Sequence, residues 1–260
     1  MDKMLSTIEG SIGYLIFNNP EKHNAVSLEM WDATDAILDA FESDPNVRVV
    51  VLTGAGGKSF VSGADISKFE KERGSADATK HYNARIRAIY ERIDQFPKPT
   101  IAQVDGYCIG GGLNLAVCCD IRICSSKSKF AMPAAKLGLG YPFPAIQRLI
   151  NAIGPSNEKY LMFTAERIEA ETAYRRGFVQ AVHDESTLEQ EVASIASQIG
   201  NNAPLTVKAM KYIATQVLSE PQNRDLDQCD ALVDACFTSD DYKEGRTAFM
   251  EKRAPQFKGA

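Results

Sequence analysis

The chain has 260 residues, 44% hydrophobic and 24% charged, with 29 basic and 34 acidic side chains for a formal net charge of −5. Such proportions fit a globular protein long enough to bury a core, and the mild negative balance argues against nucleic acid or an anionic membrane as the main partner. No apolar run approaches the ~20 residues of a membrane span, and the opening MDKMLSTIEGSIG lacks the apolar stretch of a signal peptide.

IGYLIF (12–17) reads as a short strand, followed by the turn-rich NNPEKHN. Ser27 is placed to cap a helix that carries Met30, Ile37, Leu38 and Phe41 on one side, ended by Asp44-Pro45-Asn46. VRVVVLTG (47–54) is β-branched and continuous, as expected of a strand buried on both faces. The glycine-rich AGGKSFVSGADI reads as a loop. Residues 76–95 have helical spacing (Tyr82, Ile86, Ile89, Ile93), PKPTIAQVDG is a proline-bounded strand, and GGGLNLAVCCD opens a helix. DIRICS and KFAMP read as short strands, 144–153 and 156–164 as two helices, and GFVQAVH as one more strand. Beyond residue 187 strand signals stop, and LEQEVASIASQIGNNAP, LTVKAMKYIATQVL and 225–253 are amphipathic and helical. The expected organisation is an α/β core over 1–187 followed by a helical part over 188–260.

Of six cysteines, Cys108, Cys118, Cys119 and Cys124 share one apolar stretch and Cys229 and Cys236 stand apart. No CxxC pair occurs, so zinc and thioredoxin chemistry lack their spacing. All six read as reduced and buried, which fits a cytoplasmic location. TGAGGKS resembles a phosphate loop but has Leu52 where a P-loop needs its first glycine, and GYCIGGG does not fit GxGxxG. His23, His81 and His183 have no metal-ligand spacing, and only His81 is placed to face a pocket. No GxSxG elbow is present, and no histidine lies near Ser62 in sequence to activate it. Lys136 and Gln147 read as structural or exposed.

Two glycine turns remain. Gly110, Gly111 and Gly112 stand between a strand and a helix, where backbone can approach closely and first-turn N–H groups have no intrahelical partner. SGADI has similar chemistry. Together the two can give one N–H each to a single oxygen gaining negative charge, or they are merely tight βα connections. On chemistry alone the plainer description is preferred.

In combination, NNPEKHNAVS, FVSGADI, QVDGYCIGGGLNLAVCCDIRI, KFAMPAAKLGLGY and DYKEGRTAFMEKRAPQF resemble the enoyl-CoA hydratase/isomerase family, the crotonase superfamily, in order along nearly the whole chain. The resemblance implies a spiral of repeated ββα units followed by a C-terminal helical region that builds homotrimers, often paired into hexamers. It implies an acyl-CoA thioester as substrate, with no metal and no redox cofactor. By matching motif, the amides of Ala64 and Gly111 correspond to the oxyanion donors. Lys22, His23, Asn24 and Ala25 match the coenzyme A loop, and Gly63, Asp65 and Ile66 continue that wall. Lys258 matches a C-terminal lysine that reaches the phosphates of coenzyme A, its own subunit's or a neighbour's. Residues 67–95 and 141–146 would shape the acyl pocket.

The chain departs from the hydratase pattern at the two glutamates. Asn114 stands at the first position and Ala134 at the second. An amide takes no proton near neutral pH, so hydration should be poor. Tyr141, in LGLGY, stands where a decarboxylating branch resembling methylmalonyl-CoA decarboxylase has a tyrosine. That branch has a histidine at the position of Ala64 and a threonine at that of Pro133. Loss of CO₂ forms the enolate without a base, so the expectation is a lyase-type reaction through Ala64, Gly111, Asn114 and Tyr141. A hydratase using substitute residues and a catalytically silent acyl-CoA-binding protein are the alternatives.

Overall fold

Strands β1 (Met4–Glu9) and β2 (Ile12–Phe17) pair antiparallel around Gly10, whose φ is 59°. They belong to a computed structural model that describes residues 2–68, 70, 72 and 74–260. Helix α1 (Leu28–Ser43) buries Met30, Trp31, Leu38 and Phe41. Ser27 stands at its N-cap but makes no capping bond; the amide of Leu28 is instead taken by the Glu72 carboxylate at 3.0 Å. There follow β3 (Val49–Gly54), β4 (Ser59–Val61), α2 (Ala76–Asp94), β5 (Thr100–Val104), β6 (Tyr107–Ile109), α3 (Gly111–Cys118), β7 (Ile121–Ser125), β8 (Lys129–Ala131) and α4 (Ala134–Leu137). After them come α5 (Phe143–Thr164), β9 (Arg167–Glu169), α6 (Ala170–Arg175) and β10 (Ala181–His183), then α7 (Leu188–Gly200), α8 (Pro204–Leu218), α9 (Leu226–Thr238) and α10 (Asp240–Glu251).

The strands form two sheets. One has the order β1-β2-β3-β5-β7-β10, the other β4-β6-β8-β9. Apart from β1–β2 and β8–β9, neighbours are parallel. Successive segments β3-β4-α2, β5-β6-α3 and β7-β8-α4 each put one strand into each sheet and close with a helix. This is the ββα winding that the resemblance implied.

Val49–Gly54 is buried on both faces, as its composition required. Val50 and Leu52 join the main core with Leu15, Phe60, Ile89, Leu113 and Phe130. Val49 and Val51 face the other way, packing with Ile12, Tyr14, Ile101 and Ile123 under Leu188, Val192 and Ala196 of α7. Helix α5 bends at Gly154 (φ 76°) and Pro155, where the sequence indicated two helices. The stretch 225–253 is broken at Ser239, whose hydroxyl accepts from the Tyr242 amide and starts α10. Five cysteines are buried as expected, whereas Cys236 is half-buried; all six are free. Among the described residues no helix is long and apolar enough to cross a membrane.

Candidate active site

Two loops from different turns of the winding are stitched together at the edge of the small sheet. In the first, a 3₁₀ turn (Pro20–Lys22) leads into His23 and Asn24, both left-handed with φ near 52° and 55°. Asparagine tolerates that conformation better than most residues. The buried Asn24 carboxamide fixes it by donating to the carbonyls of Ala55 (2.9 Å) and Ser59 (2.7 Å) and accepting from the Asn19 amide (2.9 Å). In the second loop, Ser62 N–H donates to His23 O, Val26 N–H to Gly63 O, and Asp65 N–H to Val26 O. Ala64 thus lies opposite Val26 in a parallel bridge.

Asp65 locks this pair of loops. Its carboxylate is 3% exposed and accepts from Lys22 Nζ (3.0 Å), the Ser67 amide (3.1 Å) and the Ser67 hydroxyl (2.6 Å). Burial works to raise its pKa, but the hydrogen bonds from Ser67 and Lys22 and the Lys22 charge outweigh it, and the carboxyl is held below its usual range. A carboxylate held in this way is an anchor rather than a proton donor. It also engages the Lys22 ammonium, while the amides of residues 22–25 are bound within the loop, to the carbonyls of Asn19, Pro20 and Lys22.

The glycine turn lies against this assembly. Gly110 has φ 57° and its amide donates to Ala131 O; Gly111 begins α3. A Cβ on Gly63 would lie 3.8 Å from Gly111 N, and one on Gly112 would fall 1.9 Å from Val61 O. Glycine at 112 is therefore what lets α3 start so close to β4. The amides of Ala64 and Gly111 sit on adjoining loops, and neither has a hydrogen-bond acceptor among the described residues. Two such N–H groups, one of them at a helix N-terminus, are able to hold an oxygen that gains charge.

Three neutral polar side chains gather behind the turn. Asn114, one turn into α3, is 5% exposed and its Oδ1 has no hydrogen-bond partner among the described residues. Tyr90, from α2, donates its hydroxyl to Gly111 O at 3.0 Å and meets the Trp31 ring edge-on at 5.3 Å. Burial above all, then Tyr141 and Cys118 nearby, push its phenol pKa well up, against a smaller opposite effect of the Asn114 amide. Tyr141 packs against the core and burial raises its phenol to about 12. Ala134 starts α4 and is buried. At neutral pH the phenols and the amide are all uncharged, and Ala134 offers only a methyl.

Tyr90 was absent from the residues that the sequence singled out. It completes the i, i+3, i+4, i+7 set of Ile86, Ile89, Tyr90 and Ile93, so its direction toward the core was available. Its partner, a glycine carbonyl, was not. Ala25 is buried, and Ile66 is 74% exposed beside the second loop. Lys258 sits elsewhere: its amide donates to the Asp241 carboxylate of α10 at 2.7 Å, away from either loop. His23 stacks edge-on against Tyr107 at 6.0 Å, while His81 is exposed on α2. Phe69, Lys71 and Arg73, within the stretch expected to shape an acyl pocket, lie outside the described residues.

Known proteins share this fold. The profile of the family described as enoyl-CoA hydratase/isomerase matches residues 7–260. A short-chain-enoyl-CoA hydratase of Clostridium acetobutylicum is 37% identical over 249 residues, 94% of this chain and 93% of the relative. A crotonyl-CoA hydratase of Syntrophomonas wolfei is 37% identical over 254 residues, 96% and 95% of the two chains. The crystal structure of an enoyl-CoA hydratase/carnithine racemase from Magnetospirillum magneticum superposes with a TM-score of 0.92 at 32% identity, covering 100% of this chain and 97% of that one. The chain belongs to the enoyl-CoA hydratase/isomerase family of the crotonase superfamily.

Proposed function

We propose that the protein acts on an acyl-CoA thioester, holds the thioester oxygen between the amides of Ala64 and Gly111, and stabilises an enolate there without the paired carboxylates of a hydratase. The observation that carries this reading is the chemistry behind the turn: Asn114, Tyr90 and Tyr141 are neutral, Ala134 is a methyl, and Asp65 is tied to Lys22 and Ser67. Coenzyme A lies along the main chain of Lys22, His23 and Ala25 and past Gly63, Asp65 and Ile66, and Lys258, which stands away from both loops of its own chain, reaches the phosphates of a neighbouring subunit's ligand. The thioester is substrate; the reaction needs no metal or redox cofactor.

A lyase reaction suits such a site. In a decarboxylation the bond from the α-carbon to the carboxylate breaks, its electron pair becomes the enolate held by the two amides, CO₂ leaves, and solvent returns a proton to the α-carbon. Tyr141 and Asn114 orient the leaving carboxylate, which a pair of glutamates would repel. The test compares crotonyl-CoA hydration with CO₂ release from malonyl-type thioesters, beside a family hydratase. Decarboxylation with hydration several orders slower than the reference supports the reading.

The two relatives named hydratases at 37% identity favour a second reading, hydration by substitute residues. Crotonyl-CoA turnover equal to the reference would establish it and remove the lyase mechanism. A silent binding protein would bind thioester yet admit no solvent deuterium to the α-carbon. The assembly is proposed to be a homotrimer or a dimer of trimers in the cytoplasm, in support of which Phe143, Phe163, Phe249 and Met250 are each more than 70% exposed in the single chain.

A further inference from the structure

The open face of the small sheet carries a recess that the glycine loops do not account for. Along β6, β8 and β9, Cys108, Phe130 and Ile168 turn into the core, which leaves Ile109, Ala131 and Arg167 in register on the opposite face. A cavity of about 430 Å³ is lined there by Ile109, Ala131, Pro133, Lys136, Ala165 and Arg167. Its apolar walls carry two cations and no acid. Lys129, one row away, is paired with Glu169 at 3.4 Å, but neither Lys136 nor Arg167 has a carboxylate partner among the described residues. The Arg167 guanidinium lies 5.3 Å from the centre of the Tyr107 ring, and His23 packs on that same ring. Ala165, left-handed with φ 47°, turns the chain out of α5 and into the strand that starts with Arg167.

The recess adjoins the reaction site. Ile109 immediately precedes Gly110, and its carbonyl oxygen would be 3.6 Å from a Cβ on Gly63; Pro133 immediately precedes Ala134. In a chain of net charge −5, two unpaired cations beside an apolar wall make a local positive field. A guanidinium already stacked on an aromatic ring is pre-oriented to donate to two oxygens side by side.

We propose that Lys136 and Arg167 form an anion subsite that binds a carboxylate or phosphate of the thioester ligand. This rests on the acyl-CoA reading above. The anion is either a second carboxylate on the acyl chain or a phosphate of coenzyme A. Calorimetric titration of the wild type, Arg167→Gln and Lys136→Gln with butyryl-CoA, succinyl-CoA and butyryl-pantetheine separates the two. Each substitution is expected to weaken the anionic ligand by about tenfold, the usual loss for one charge-assisted hydrogen bond. A loss confined to succinyl-CoA supports the subsite and assigns the acyl carboxylate. An equal loss for both CoA esters, with butyryl-pantetheine unchanged, supports it and assigns the phosphates. Affinities within twofold of wild type in both variants overturn the proposal, and so does a loss shared by butyryl-pantetheine, which carries no anion. A wild type that binds none of the esters overturns the acyl-CoA reading itself. Lys136 is exposed on α4, so its variant keeps the test valid if Arg167→Gln misfolds.

Discussion

At the scale of single residues the candidate site is defined by substitutions that leave the backbone alone. Asn114 and Ala134 are both buried in short helices, one turn into α3 and at the start of α4, and placing carboxylates at both tests their assignment. Asn114→Glu with Ala134→Glu is expected to raise crotonyl-CoA hydration by at least ~10²-fold, the lower range for acid/base groups; no gain with intact CoA binding counts against these positions. Gly111 is the first residue of α3, where proline is tolerated because the N–H is already outside the helix ladder. Gly111→Pro therefore removes one donor with little damage to the helix, and turnover should drop about 100-fold or more, near 3 kcal/mol. A Cβ there would come 3.2 Å from Tyr90 Oη, so the variant is best made together with Tyr90→Phe. Tyr90→Phe alone should lower kcat by roughly 3- to 10-fold, as one lost hydrogen bond of about 1 kcal/mol implies, with the KM for thioester unchanged; an equal change in KM would make Tyr90 a binding residue. That Asn114 and Ala134 carry no carboxylate was legible from sequence, because it is a matter of residue identity. The Tyr90 hydrogen bond was not, because its acceptor is a carbonyl twenty-one residues away.

At the scale of elements, the long helices and the strands buried on both faces were readable, whereas the short helices α4 and α6 and the strands β1, β4, β6 and β9 were not. The last three are three residues each, too short to show a period, and only their pairing across turns of the winding makes them strands. β1 is an edge strand with only Met4 buried, so it offers no alternation to detect. The close contact of β4 with α3 yields a prediction: Gly112→Ala forces a methyl onto Val61 O and should destabilise the fold by about 1–3 kcal/mol, seen as a lower thermal midpoint. An unchanged midpoint would mean that the contact relaxes freely. The Asp65 lock has a pH signature. Because its folded pKa is depressed, the stability it supplies is present above the unfolded value near ~4 and is lost as pH falls through the folded value. Asp65→Asn should flatten the acid side of the stability profile below about pH 4, and an acid limb identical to wild type would show that Lys22 and Ser67 do not hold the loop.

At the scale of the whole molecule, amphipathic periodicity located the C-terminal helices but not what each covers: α7 closes the outer face of the six-stranded sheet, while α8, α9 and α10 surround an apolar groove of about 610 Å³ that includes Met210, Phe237 and Phe249. Light scattering is expected to give a mass three or six times 28.5 kDa, and Phe249→Glu with Met250→Glu to shift it toward the single chain; a wild type that stays at 28.5 kDa at high concentration removes the proposed assembly. The feature with the widest reach is that the two candidate oxygen-binding groups are peptide amides, fixed by Asn24, Gly112 and the Asp65 lock. Substituting the side chains around them leaves such a cradle in place. Positions 114, 134 and 141 then behave like interchangeable tool bits in a fixed chuck, and a lineage can pass from one reaction to another through folded intermediates, each already able to hold the same anion.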